Sequence, residues 1–299
     1  MIDKVIIAIC TYNPNFELLQ RVIESCDVPN LSGRIVVFDS ASTNRVPILI
    51  ANKFNLEYVL CANPGTAYAR FTALAEQHSD ELLIFVDDDN ILGENFSWFA
   101  LEIANANPLW GVFGGKLVLP SDYQVNKKLT HFLPFLAIKN LGDEPRETTA
   151  SLHWNELEPP GAGMCVRPEV AKYIVQKFEG GDSGILTTGA IHSKQFRGED
   201  SYIARQAQFL ALNWGYHPSL TLEHRFAQTR ISIRYLYPLL FRFGVSDIHL
   251  NNALNIQPTY QYPKLFKSLI RETIFHLAKG RAGVPTALRA FGQFYACRF

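Results

Sequence analysis

Residues 82–90 read Leu-Leu-Ile-Phe-Val-Asp-Asp-Asp-Asn. A five-residue apolar run is too short for a typical helix and has the length of a buried strand. It ends in three adjacent carboxylates, Asp87, Asp88 and Asp89. Charges massed at the end of a buried strand repel one another and need a cation or a strong set of donors beside them. If the chain stays extended, Asp87 and Asp89 face one side and Asp88 the other. Two hard oxygen ligands on one side suit Mg²⁺ or Mn²⁺, ions that keep several waters and bind phosphate oxygens. The run therefore predicts a metal–diphosphate site, against the blander alternative of a solvated acidic loop.

The rest of the first half supplies a sheet for that strand. Val5 to Cys10, Arg34 to Asp39 and Leu56 to Leu60 read as strands, and Trp110 to Leu119 as extended. Between them Phe16 to Glu24, Pro47 to Phe54, Ala67 to Glu76 and Phe96 to Ala106 have helical spacing. Strands alternating with helices predict an α/β fold with a mainly parallel sheet. Ligands in such sheets bind outside the carboxyl ends of the strands. Three strands here end in polar residues: Thr11-Tyr12-Asn13, Asp39-Ser40 and the aspartate run.

Residues 120 to 160, with several prolines and a mixed-charge segment, predict irregular structure or a flap. The small residues of Pro159 to Met164 fit either a close backbone approach to a ligand or a tight turn. Val170 to Phe178 and Glu199 to Leu212 predict helices, Gly180 to Gly189 a mobile loop, and Tyr216 to Glu223 a strand. The loops 120–160 and 180–198 are where specificity is expected.

The length of 299 residues allows one large domain or two modest ones and a full core. Five cysteines, odd in number and without a CxxC pair, read as reduced thiols of a cytosolic protein. No signal peptide and no transmembrane run are expected. The net charge of zero hides an asymmetry. Residues 231–299 hold nine Lys/Arg and two Asp/Glu, a net of +7, and the other 19 basic and 26 acidic side chains leave −7 on residues 1–230. The tail reads as helical. Its apolar stripe Leu265, Phe266, Leu269, Ile270, Ile274, Leu277 and Ala278 is flanked by Lys264, Lys267, Arg271 and Lys279, which fits a helix lying on an anionic membrane or one packed on its own domain.

In order and spacing these segments resemble glycosyltransferase family 2, the inverting family with the GT-A fold, of the bacterial cell-surface glycan type. The resemblance covers about residues 4 to 245. It is carried by Ile9-Cys10-Thr11-Tyr12-Asn13, by Val36 to Asn44 with its strand ending in Asp39, and by Asn63-Pro64-Gly65 with Ala69-Arg70 leading to the aspartates, which look like the family's DxD element. Gly198-Glu199-Asp200 and Leu222-Glu223-His224 complete it. It implies a GT-A domain over 1–230, with a nucleotide-binding half to about 119 and an acceptor half after it, and a basic helical extension over 231–299.

By the same resemblance Thr11, Tyr12, Asn13 and Asp39 line the nucleotide pocket, with Arg70, Asp87 and Asp88 near the ribose or phosphates. Asp89 ligates Mn²⁺ or Mg²⁺, with Asp87 and His224 as further candidates, since a His at this place completes the metal shell in some members. Asp200 is the general base, with Glu199 its alternative. Arg225 and Arg230 either meet the diphosphate or are structural. The implied partners are a nucleotide-sugar donor, a UDP-sugar foremost, and a glycan or lipid-linked glycan acceptor in polysaccharide synthesis. Peripheral contact with the inner face of the membrane is compatible with the tail, and no nucleic-acid partner is expected. The alternative is a sugar-nucleotide-binding, inactive scaffold. A DxD phosphatase fits less well, because Asn90-Ile91 lacks the residue types that chemistry wants, and a calcium loop fails because Gly93 is misplaced.

Overall fold

The structure is a computed structural model and describes residues 2–26, 32–61, 63–184, 186, 198–256 and 284–296. Seven of the eight residues of β1 (Lys4–Thr11) are buried, which requires a sheet covered on both faces. It lies within one sheet of the described residues, joined by β2 (Gly33–Asp39), β3 (Glu57–Leu60), β4 (Glu81–Asp87), β5 (Asn90–Leu92), β6 (Trp110–Val118), β7 (Arg146–Thr149), β8 (Cys165–Val166) and β9 (Asn213–His224). The order is β3-β2-β1-β4-β8-β6-β9-β5, with β7 pairing β9. The strands β3, β2, β1 and β4 are parallel, as are β6 and β9, while β8, β5 and β7 pair antiparallel.

The period of two sorts the core. Ile6, Ala8, Cys10, Leu83 and Phe85 face one side, beneath α3 (Thr66–Glu76), α5 (Pro168–Glu179) and α6 (Glu199–Gln206). Val5, Ile7, Ile9, Leu82, Ile84 and Val86 face the other, beneath α1 (Phe16–Cys26), α2 (Val46–Phe54) and α4 (Phe96–Ala106). α1 shows how the sequence sets such a layer. Asn15 Oδ1 accepts the Leu18 N–H at 2.9 Å and caps the helix, and Leu19, Val22, Ile23 and Cys26 then recur on its buried face. Among the described cysteines Cys10, Cys26, Cys61 and Cys165 are free and buried.

A third apolar cluster joins the long helix α7 (Ile233–Ala253) to the body. Phe132, Leu136, Phe226, Leu236, Leu239 and Leu240 form it. α8 (Val284–Ala296) crosses α7 where both carry glycine: a Cβ on Gly244 would lie 1.9 Å from the Arg289 carbonyl oxygen, and one on Gly292 1.9 Å from that of Phe241. Arg289 fastens the crossing with two hydrogen bonds to Asp247, at 2.5 and 2.7 Å.

Two expectations change. Residues 120–160 are not wholly irregular: Lys127–Leu136 is a 3₁₀ helix, and Arg146–Thr149 pairs with β9. That four-residue strand, Arg-Glu-Thr-Thr, has no apolar run to announce it. The helix expected over Glu199–Leu212 ends at Gln206 and continues as the 3₁₀ turn Ala207–Leu210. There Trp214 Nε1–H donates to the Ala204 carbonyl at 2.8 Å, and Ala211 closes the turn at φ 54°. The stretch Lys264 to Lys279 and Cys297 lie outside the described residues, as do Ile185 and Thr187 to Gly189 of the expected loop. No described helix is long and apolar enough to cross a membrane.

Candidate functional site

β4 ends at Asp87, and residues 88 and 89 form a turn into β5. The alternation of an extended chain therefore stops at Asp87, and the three carboxylates diverge to three partners. Asp87 continues the parity of Leu83 and Phe85 and points toward α3, where Arg70 Nη2 lies 3.1 Å from its Oδ1. Asp88, expected to face away, instead meets β1: its Oδ2 accepts from Thr11 Oγ1 at 2.6 Å. Burial pushes Asp88 up to about 6, with Asp87 and Asp89 adding to the shift and the Thr11 hydroxyl opposing it. Asn90, fully buried, pins the turn. Its Oδ1 accepts the Asp87 N–H at 2.9 Å, and its Nδ2 donates to Asp89 Oδ1 at 3.2 Å.

Asp89 is carried to β9 by backbone pairing. Asn90 stands opposite His224 in the β5–β9 register, and the Arg225 N–H donates to the Asp89 carbonyl at 2.7 Å. His224 Nε2 then lies 3.3 Å from Asp89 Oδ1. Its other nitrogen, Nδ1, lies 3.1 Å from the Leu136 carbonyl oxygen, which can only accept. The proton thus belongs on Nδ1, and a neutral ring turns its Nε2 lone pair toward a carboxylate. Two acceptors facing each other need a proton or a cation between them. Burial disfavours the charge on Asp89, but with a proton on Nε2 His224 donates to it, and together with Arg230 holds its carboxyl below the usual range. Among the described residues no group of three or more His, Cys, Asp or Glu is placed to hold a metal. The protein offers a carboxylate and an oriented imidazole, a donor pair that fits a hard divalent ion completed by water and phosphate oxygens.

Arg70 joins the two acidic elements. It is 4% exposed and sits on α3 among Ala67, Ala69 and Ala73. Besides Asp87 it reaches Glu199 Oε1 from Nη1 at 3.3 Å, and its guanidinium lies over the Phe85 ring. Burial opposes its charge, but Asp87, Glu199 and Asp200 hold it firmly protonated. Gly161 makes room for it, because a Cβ there would lie 2.2 Å from the guanidinium nitrogens. Glu199 is itself buried, which raises its carboxyl against the pull of Arg70. Asp200 is half-buried. Its Oδ2 accepts the Gly161 N–H at 3.1 Å and its Oδ1 the Ser201 N–H at 2.8 Å.

One cleft of about 1060 Å³ brings these groups together: the three aspartates, Arg70, Glu199, Asp200 and His224 line it, with Thr11 and the half-exposed Tyr12 at the end of β1. Asn13 and Asp39 are outside its lining. Asn13 Oδ1 collects the Thr43 and Asn44 N–H groups at 2.8 and 3.1 Å, and Asp39 accepts from the Ser42 N–H at 2.9 Å and the Tyr58 hydroxyl at 2.7 Å. Both shape the turn after β2. Arg225 is bound to Asp122 and Glu223, whereas Arg230 lines the cleft, 3.8 Å from Asp89. Sequence reading gave Asn90 and the Leu136 carbonyl no role in the site, and of the small residues of Pro159 to Met164, read as room for a ligand or a turn, Gly161 makes room for Arg70 instead. Of the first two only Asn90 left a signal, a polar residue closing an acidic run.

No protein-family model and no curated protein matches the chain. Solved structures do. S. aureus TarS residues 1–349, in complex with UDP-GlcNAc, superposes with a TM-score of 0.53 over 99% of this chain and 92% of its own at 14% identity. The mannosyltransferase PcManGT from Pyrobaculum calidifontis, in complex with GDP-Man and Mn²⁺, gives 0.53 over 98% and 74% at 17% identity. A mycobacterial protein gives 0.52 over 86% and 76% at 15% identity. The chain has the GT-A fold. At these identities the likeness speaks for the fold, which the sequence resemblance also implies.

Proposed function

We propose that the chain is a metal-dependent inverting glycosyltransferase that moves a sugar from a nucleotide sugar, a UDP-sugar foremost, to a hydroxyl of a glycan or lipid-linked glycan. The observation that carries this reading is the facing of Asp89 and His224 at 3.3 Å in the same cleft as Asp200. The GT-A fold shared with structures that hold UDP-GlcNAc or GDP-Man supports it.

Asp89 and His224 are the residues that would hold Mn²⁺ or Mg²⁺, with Asp87 beside them. When bound, the ion offsets the charge that grows on the departing nucleoside diphosphate. The chain's own residues do the rest. Thr11 and Tyr12 border the donor. Arg70 pairs with both Asp87 and Glu199 and offsets one of their charges, and burial raises the Glu199 carboxyl, so the two acids repel the diphosphate less than free carboxylates would. That leaves Asp200, whose two backbone donors orient its carboxylate, to take the proton of the acceptor hydroxyl as it attacks the anomeric carbon. One direct displacement inverts that carbon.

Thermal shift and calorimetry with UDP test the reading. UDP with Mn²⁺ is expected to stabilise the wild type, and chelation or Asp89→Ala to abolish the effect. Equal UDP binding with and without metal, or in Asp89→Ala, would refute it. A panel of nucleotide sugars scored for metal-dependent hydrolysis then names the donor.

A further inference from the structure

The cleft does not end at the donor groups. One face of α7 continues its wall: Tyr235, Leu239, Arg242, Phe243, Ser246 and Leu250 recur at helical spacing and all line it. Arg242 stands out among them. It is half-buried, and no described residue gives it a hydrogen bond or an ion pair.

The acids of this end already have cations. Asp247, one turn along α7, is taken by Arg289 and by Gln293 at 3.0 Å. The Gly244–Gly292 crossing holds α8 close enough for that. Glu158 is bound by Arg205 at 3.0 Å, and Glu156 by Arg146. Lys139 lines the cleft with only a carbonyl partner, the Glu158 oxygen at 3.0 Å. Arg230, over the Tyr235 ring, is already turned to Asp89 at 3.8 Å. The far end therefore carries a surplus of positive charge. A guanidinium cannot shed its proton, so a half-buried one without an anion is a site awaiting one. Its planar fork matches phosphate oxygens, and with Lys139 in the same cleft two cations exceed what a singly charged carboxylate needs.

We propose that the far end of the cleft is a phosphate subsite, in which Arg242 receives a phosphate carried by the acceptor. This rests on the donor–acceptor reading of the cleft given above. The volume of about 1060 Å³ leaves room for a second ligand beside a nucleotide sugar. A phosphate carried by a lipid and one within a water-borne glycan would meet the same cations.

The test is calorimetric titration of the full chain with methyl phosphate, with and without saturating UDP and Mn²⁺. The wild type is expected to bind the probe in both conditions. R242Q should weaken it by about tenfold or more, as for a lost charge-assisted hydrogen bond, and R242K less. UDP affinity should be unchanged in R242Q, and a thermal melt checks that both variants fold. Equal affinity for methyl phosphate in the wild type and R242Q would overturn the proposal. So would displacement of the probe by UDP, which would put the anion in the diphosphate position. Failure of UDP to bind any variant sinks the donor reading instead, while the comparison without nucleotide still decides the subsite. Two further probes name the source. Farnesyl phosphate binding tighter than glucose 1-phosphate assigns a lipid carrier, and the reverse order assigns a glycan phosphate.

Discussion

The two ends of the cleft are built by different means. At the donor end the side chains come from strand ends and interlock: Asp87 with Arg70, Asp88 with Thr11, Asp89 with His224, and Asn90 beneath the turn. At the far end they come from a 3₁₀ helix, an irregular segment and α7, where Arg242 has no polar partner among the described residues and Trp154 stands 62% exposed. Interlocked charges hold a geometry before any ligand arrives, which is what a leaving group and a metal require. Loose walls accept varied ligands and can be changed without loss of the fold.

The comparison is broken most directly at Asp200. If the donor end is preorganised and Asp200 only moves a proton, Asp200→Asn should lower turnover by about 10²–10⁴-fold while donor affinity holds. Single-turnover kinetics with calorimetric UDP binding separates the two. Near-normal turnover would hand the role of base to another group.

Arg70→Met is the next largest. It leaves Asp87 and Glu199 facing each other without their cation, and loss of one partner from a buried ionic network costs about 3–5 kcal/mol. Urea unfolding measures it, and a loss below about 1 kcal/mol would mean that the two acids are already protonated or hydrated. Asn90→Ala should cost about 1–3 kcal/mol, because the Asp87 N–H loses a buried acceptor. Trp154→Ala, at the other end, should stay within about 0.5 kcal/mol, as exposed side chains do. Equal losses for Asn90→Ala and Trp154→Ala would erase the distinction between a locked end and a loose one.

The same contrast governs what could be read from the sequence. β1, β2 and β4 announce themselves because strands buried on both faces are continuous apolar runs, and the helices between them because their buried faces recur every three or four residues. Acids and small polar residues at the strand ends then point to one crevice. What stayed hidden depends on partners without a side-chain signature or far off in the chain. The Leu136 carbonyl that sets the His224 tautomer is backbone. The β5–β9 pairing that brings His224 to Asp89 joins Asn90–Leu92 to Leu222–His224, segments far apart in the chain. The extended alternation misplaced Asp88 because a turn, not a strand, follows Asp87. The surplus cation at Arg242 becomes visible only when Asp247 is seen to belong to Arg289.

Lys139, a cation of the loose end, tests whether that end really lacks an anion. Burial lowers Lys139 from the ordinary 10.5 to about 8, with Arg146 adding to the shift and Glu158 and Glu156 opposing it. Between those two values the unfolded chain holds the proton that the folded one has released. Lys139 therefore works against the fold below about pH 8. That penalty is relieved as pH rises through the window, so stability attributable to Lys139 increases with pH. The wild type should gain on Lys139→Met between pH 8 and pH 10.5 in urea unfolding, because the other titrating groups are common to both chains. A difference that stays flat across the window would mean that Lys139 keeps an ordinary pKa through an anion already beside it. Bound phosphate should have that same flattening effect, since an anion in the cleft restores the charged lysine.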